Sequence, residues 1–246
     1  VNLLEARLEE PLRLKRPRRI AVNLMGDLFH DQVPIEFIGR VFGIMSLAPR
    51  HTFMVLTKRP ERMVECIRSI WAFAGILRNV WLGTTAGTQR SANERWSAMA
   101  WLAQAGWKTW VSSEPRLEAI DWHGWEFLKA LATGGESGPY ARPMSPAWLR
   151  ADREWCGAHG VKFWFKQWGE WAPVPSPYPP ALSPSGRAPD GEREPGGLEN
   201  YPMTTLGGEM LFRFGRKMAG RELDGRTWEE WPDFTTKDMK EHEGEL

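Results

Sequence analysis

Six short apolar runs recur along the first two thirds of the chain, separated mostly by stretches of helical periodicity. This alternation constrains the fold more than any other feature. The runs are Arg19–Leu24, Thr52–Thr57, Asn79–Thr84, Lys108–Ser113, Leu131–Gly135 and Val161–Lys166. Short runs of this kind, bounded by turn residues, read as strands covered on both faces. Pro34 opens a helix to about Leu47, with Phe37, Ile38, Val41, Phe42 and Met45 on one face. Pro60 starts a second helix, to about Phe73, and a third is predicted from about Ser91 to Ala103. Ser91-Ala92-Asn93-Glu94 has the spacing of a capping box at that third start. A loop and a short helix carrying Trp122, Trp125, Phe127 and Leu128 are predicted next, and Ser145-Pro146 opens a helix to about Ala158. Strand and helix alternating in this way predict right-handed βαβ units and a parallel sheet. Asn23-Leu24-Met25-Gly26-Asp27, after the first strand, is not a dinucleotide-binding glycine fingerprint. A partial (β/α) barrel is therefore preferred to a doubly wound sheet.

This reading divides the chain into a partial barrel over 1–171, a Pro/Gly-rich loop or insertion over 172–209, and a C-terminal hairpin and tail over 210–246. The chain opens on Val1 and runs straight into an amphipathic-looking segment, as if entered partway through a domain or begun at an alternative start codon. Lysine plus arginine number 32 and aspartate plus glutamate 31, so overall charge selects no partner, although Arg13, Lys15, Arg16, Arg18 and Arg19 form a local basic run. The fifteen tryptophans read as core and rim packing. Two cysteines far apart, Cys66 and Cys156, argue against a disulfide framework or a cysteine metal site. Without a signal peptide or an apolar run of transmembrane length, the chain is expected to be soluble and cytoplasmic, with no membrane partner. The five histidines have no metal-ligand spacing, and there is no nucleophile elbow or Walker A sequence.

In a parallel barrel the C-terminal strand ends face the site. Polar and glycine residues gather there: Asn23, Gly26 and Asp27; Thr57, Lys58 and Arg59; Thr84 and Thr85; Ser113 and Glu114; Gly134, Gly135, Glu136 and Ser137; Lys166 and Gln167. Lys58, Arg59 and Lys166 offer positive charge to a carboxylate or phosphate. Glu114 and Glu136 suit a ribose, an amine or a cation, unless Glu114 pairs with Lys58 or Lys166 inside the mouth. Gly134 and Gly135 would let a ligand approach the backbone closely. The expected partner is a small molecule or nucleotide at the mouth, with nucleic acid as a further option.

Several segments resemble the phage Gp37/Gp68 proteins, the DUF5131 family. They are Val22–His30, Leu56–Met63 (L-T-K-R-P-E-R-M), Asn79–Gly83 (N-V-W-L-G), Ser113-Glu114-Pro115, Gly134–Gly138 with Ala141–Met144 (G-G-E-S-G and A-R-P-M), Phe165–Trp171 (F-K-Q-W-G-E-W) and Ala219–Trp228. The resemblance implies a radical-SAM-like partial barrel. In that family three N-terminal cysteines would hold a [4Fe-4S] cluster, leaving one iron for S-adenosylmethionine. This chain contains none of the three, so both cofactors are expected only if an upstream cysteine segment exists, and the first barrel strand is expected to be missing. Gly26 in place of serine, Thr84-Thr85-Ala86 in place of a V-S-V-E-like segment, and Ala132-Thr133 in place of a more hydrophobic strand depart from the pattern. Together these features imply a truncated or cluster-less form that keeps its mouth residues.

Overall fold

The computed structural model describes residues 1–23, 26–174, 198 and 201–230. A 3-10 turn at Glu5–Arg7 and a short helix α1 (Glu10–Arg13) precede the first strand, β1 (Arg19–Val22). Next come α2 (Ile35–Leu47), β2 (Thr52–Thr57), α3 (Pro60–Ala74), β3 (Val80–Thr85), α4 (Gln89–Gln104), β4 (Lys108–Ser113), β5 (Ala130–Gly134), α5 (Pro146–His159) and β6 (Lys162–Gln167). The six strands are parallel and lie side by side in chain order, β1 to β6. A doubly wound sheet reverses strand order at a switch point. Here nothing reverses, so right-handed crossovers carry the helices to one side and the sheet curls into a half-barrel.

Strand alternation gives each face its own packing. Phe53, Val55, Val80, Leu82, Val111, Leu131, Phe163 and Phe165 belong to the main core beneath the helices. Met54, Trp81, Trp110, Ala130 and Ala132, with Leu56 and Trp164 against them, form a second cluster on the concave face. Burial on both faces is why the strands read as nearly continuous apolar runs. Gly83 makes room for the concave cluster: a Cβ there would lie 2.3 Å from Trp110 Nε1, which donates to the Val55 carbonyl at 3.1 Å.

Two local expectations need correction. The capping box of α4 lies three residues earlier than predicted. Thr88 is extended, its hydroxyl accepts from Ser91 N–H (3.2 Å), and Ser91 Oγ accepts from Thr88 N–H (3.1 Å). Glu94 instead pairs with Arg90, one helical turn back, at 2.8 Å. Between β4 and β5 the predicted short helix is a run of turns, closed by Trp125 N–H to Trp122 and Leu128 N–H to Trp125. Trp122 and Trp125 meet edge-on at 5.7 Å, so bulky rings cover this part of the sheet without a helix.

After β6, β7 (Trp171–Pro173), β8 (Met203–Leu206) and β9 (Glu209–Arg213) form an antiparallel sheet in the order β7-β9-β8. Most of the segment read as a Pro/Gly-rich loop, residues 175–197 and 199–200, lies outside the described residues, as does the tail 231–246. A one-turn helix α6 (Arg216–Ala219) leads to the hairpin β10 (Glu222–Leu223) and β11 (Arg226–Thr227), closed by Asp224-Gly225 with both residues at positive φ. Asp224 binds Arg150 and Arg153, and Glu209 binds Arg150, fastening this part of the chain to α5. Trp228 to Glu230 run along β6: Phe165 N–H donates to the Trp228 carbonyl and Glu230 N–H to the Phe163 carbonyl. The outer edge of β6 is thereby covered, which protects it from pairing with another chain. Among the described residues, no helix is long and apolar enough to cross a membrane.

Candidate functional site

The sequence-predicted mouth residues fall into separate groups on the C-terminal rim of the sheet. The first joins the ends of β1 and β2. Asp27 Oδ1 accepts from the Thr57 hydroxyl (2.7 Å) and Phe29 N–H (3.0 Å). Its Oδ2 accepts from the Arg59 guanidinium (2.9 Å) and Lys58 N–H (3.3 Å). Asn23 sits at φ 56°, and its side-chain oxygen, in the amide orientation that satisfies its neighbours, accepts from the N–H groups of Asp27 and Leu28 at 3.2 and 3.1 Å. A Cβ on Gly26 would come within 2.7 Å of the Asn23 amide, so a larger residue here would have to shift that side chain. His30 Nδ1 accepts from Gln32 N–H, the bond of a loop-capping histidine.

The second group joins β4, β5 and β6. Glu114 Oε2 accepts from Lys166 Nζ at 2.7 Å, and Oε1 from Gln167 Nε2 at 3.1 Å. Gln167 also reaches the Ser137 hydroxyl at 3.4 Å. The space beside the two glycines is occupied: a Cβ on Gly134 would meet the Glu114 carboxylate at 3.2 Å, and one on Gly135 would fall 1.8 Å from the Trp168 carbonyl. Their freedom is used for close packing within the chain. Glu136 is gripped by Arg142 through two side-chain bonds of 2.8 Å and by the Arg142 N–H. That guanidinium holds the Glu136 carboxyl down at about 2.

No hydrogen bond or ion pair among the described residues joins the two groups. Thr57, Thr84, Ser113 and Thr133 are buried on the helix-facing side of the strand ends, and Thr84 donates to the Thr57 carbonyl. At these strand ends Thr85 and Ser112 carry hydroxyls on the concave side, paired in register beside Ala132. Each rim carboxylate of the predicted set, Asp27, Glu114 and Glu136, is therefore neutralised from within the chain. Lys58 differs: its side chain is exposed and makes no hydrogen bond or ion pair among the described residues. Of the two ion pairs expected for Glu114, the one with Lys166 forms and the one with Lys58 does not.

Beneath the second group is a buried network that the sequence reading missed. Arg116 and Asp152 are each 1% exposed and bond at 2.9 Å. Asp152 also accepts from Trp122 Nε1 (2.7 Å) and the Thr133 hydroxyl (3.2 Å). Burial pushes the Asp152 carboxyl up to about 6 against the opposing pull of Arg116, and burial also lowers the Arg116 guanidinium. Arg116 N–H donates to the Gly134 carbonyl, so the pair fixes the loop that carries Glu114. A signal was present in the sequence: Asp152 shares a helical stripe with Leu149 and Cys156.

A cavity of about 620 Å³ lies between the N-terminal segment, β1 and α2. Its walls are mainly apolar, including Leu3, Leu8, Ile20, Val22, Phe37 and Val41, and it meets the rim at Asn23, Gly26 and Asp27. Cys66 and Cys156 are buried on α3 and α5, and burial raises both thiols.

A family described as proteins of unknown function, DUF5131, has a sequence profile that matches residues 1–232. The chain belongs to the DUF5131 family. No curated protein and no solved structure matches it. The match spans the half-barrel, the strand-end loops and the three-stranded C-terminal sheet, so the rim lies wholly within the DUF5131 region.

Proposed function

We propose that this DUF5131 chain is a radical-SAM-like half-barrel of phage or bacterial origin whose strand-end rim binds an anionic small molecule of the nucleotide class. One observation carries the reading: Asp27, Glu114 and Glu136 are neutralised from within the chain, while the exposed Lys58 ammonium beside Arg59 makes no hydrogen bond or ion pair among the described residues. An exposed ammonium next to a guanidinium suits a phosphate or carboxylate. On the concave face below, the partly exposed indole of Trp164, backed by the buried Trp110, offers an apolar surface of the kind that bases and sugars pack against.

An iron–sulfur cluster would supply radical chemistry in a radical-SAM protein. The residues of this chain do not fit one. Its two cysteines are buried on different helices, and among the described residues no three His, Cys, Asp or Glu are grouped to hold a metal ion. The role proposed for the residues present is binding by Lys58, Arg59 and Lys166, with Asp152 and Arg116 positioning the Glu114 loop. Titration of S-adenosylmethionine and adenosine triphosphate, followed by tryptophan fluorescence, tests it. A saturable change is expected with at least one of them, and a flat response to both would overturn the reading.

A further inference from the structure

The opposite end of the half-barrel carries a charge pattern that the near-neutral total conceals. The segments entering the six strands are 14–19, 48–52, 75–80, 105–108, 123–130 and 160–162. They contain nine lysines or arginines (Lys15, Arg16, Arg18, Arg19, Arg50, Arg78, Lys108, Lys129 and Lys162) and a single acid, Glu126. Because the sheet is parallel and in chain order, all six segments open on one face.

The cations are held in place. Arg50 donates to the Leu14 and Leu12 carbonyls at 2.9 and 2.7 Å, and Arg18 N–H donates to His51 Nδ1 at 3.1 Å. These bonds pin the 12–18 segment, on which Lys15, Arg16 and Arg18 stand exposed. Lys162 N–H donates to the Lys129 carbonyl at 3.1 Å, so these two exposed lysines start neighbouring strands. Lys108 lies 5.6 Å above the Trp81 ring at the start of β4. On the β6 side the basic face ends at Glu229 and Glu230.

The ordinary explanation for such cations is that they balance the negative ends of helices. Each of the four long helices contributes about half a negative charge at this end, about two in all. Nine cations exceed that several-fold. Six strand starts at about 4.8 Å spacing make a face about 24 Å across. A nucleic-acid duplex presents one phosphate per about 1.7 Å of axis, or about fourteen over that width. A membrane-surface binder would be expected to lay an amphipathic helix on the bilayer. The parts of this face are strand starts and turns.

We propose that this N-terminal face docks the sugar–phosphate backbone of a nucleic-acid duplex, independently of the small-molecule rim at the other end. The test is fluorescence anisotropy of a labelled 20-base-pair DNA duplex with the full chain, across a salt series. If about five phosphates are contacted, the logarithm of the binding constant should fall with the logarithm of salt at a slope of about −4 to −5. Lys129→Glu with Lys162→Glu should weaken binding at least tenfold and flatten the slope by about 2. Lys15→Glu with Arg16→Glu, on a separate segment, should act in the same direction, while Arg90→Glu on α4 should leave duplex affinity unchanged. Circular dichroism melts of both pairs would exclude unfolding as the cause. Duplex binding that is absent, or unaffected by both pairs, would overturn the proposal. So would charge-sensitive binding to phosphatidylserine vesicles with no binding to the duplex.

Discussion

Replacing Asp152 by Leu removes the partner of a guanidinium that is 1% exposed and cannot shed its proton at accessible pH. Trp122 Nε1 and the Thr133 hydroxyl, both bonded to that carboxylate, lose their acceptor at the same time. Removing one partner of a buried ion pair costs about 3–5 kcal/mol. That is a large share of a domain stability of about 5–15 kcal/mol. Arg116→Met behaves differently, because the stranded carboxyl can take up a proton. Burial already holds it at about 6 in the native protein, and removal of the guanidinium raises it further. A carboxyl whose folded value exceeds its unfolded one binds more protons in the native state within that window. Its contribution to stability therefore falls as pH rises through the window and recovers as pH is lowered. Urea unfolding at pH 7 and pH 5 should show the Arg116→Met penalty shrinking at the lower pH, whereas the Asp152→Leu penalty should grow, because the wild type gains stability from proton uptake by this carboxyl and that variant does not. The double variant Arg116→Met/Asp152→Leu should be more stable than Asp152→Leu alone, giving a coupling of about 1–3 kcal/mol. Additive single-variant losses, or equal pH dependence in the two single variants, would refute the buried-pair account.

Other outcomes follow from the packing and the rim. Gly135→Ala places a Cβ against the Trp168 carbonyl and should cost about 1–3 kcal/mol by thermal melting, since backbone must move. Gly83→Ala should displace Trp110 from its bond to Val55, seen as a shift in tryptophan emission and a lower melting temperature. Glu136 is held at about 2, below its usual value of 4.5, so its stabilising effect is present above pH 4.5 and lost as pH falls towards 2. An acid titration of Arg142→Ala should lack that component. Glu114→Gln releases Lys166 from its ion pair and should tighten anion binding at the rim, read by calorimetry.

The strands were legible because their alternation serves two apolar faces: Thr52–Thr57 and Lys108–Ser113 are read from sequence with the bounds the fold has. Topology was less accessible. The missing glycine fingerprint argued for a barrel, but the decisive fact is the unreversed strand order, which no local pattern encodes. Thr88 was missed as a cap because Ser91 offered the same spacing three residues on, and only backbone direction separates them. At the rim, residue type located the polar strand ends and offered Lys166 as a partner for Glu114, but it gave neither Gln167 nor the Arg142 clamp on Glu136. Lys166 and Gln167 reach Glu114 from 52 and 53 residues away, and Arg142 reaches Glu136 across its own loop. Asp152 was visible as a carboxylate on an apolar helical stripe, but its guanidinium partner lies 36 residues away.

Calorimetric titration of adenosine triphosphate and S-adenosylmethionine into the wild-type chain and Lys58→Ala tests the rim most directly, because Lys58 is exposed and its loss leaves the fold intact. Saturable binding of at least one of them to the wild type, weakened at least tenfold in the variant, is the result the account predicts. Absence of binding to the wild type, or equal affinity in both proteins, would contradict it.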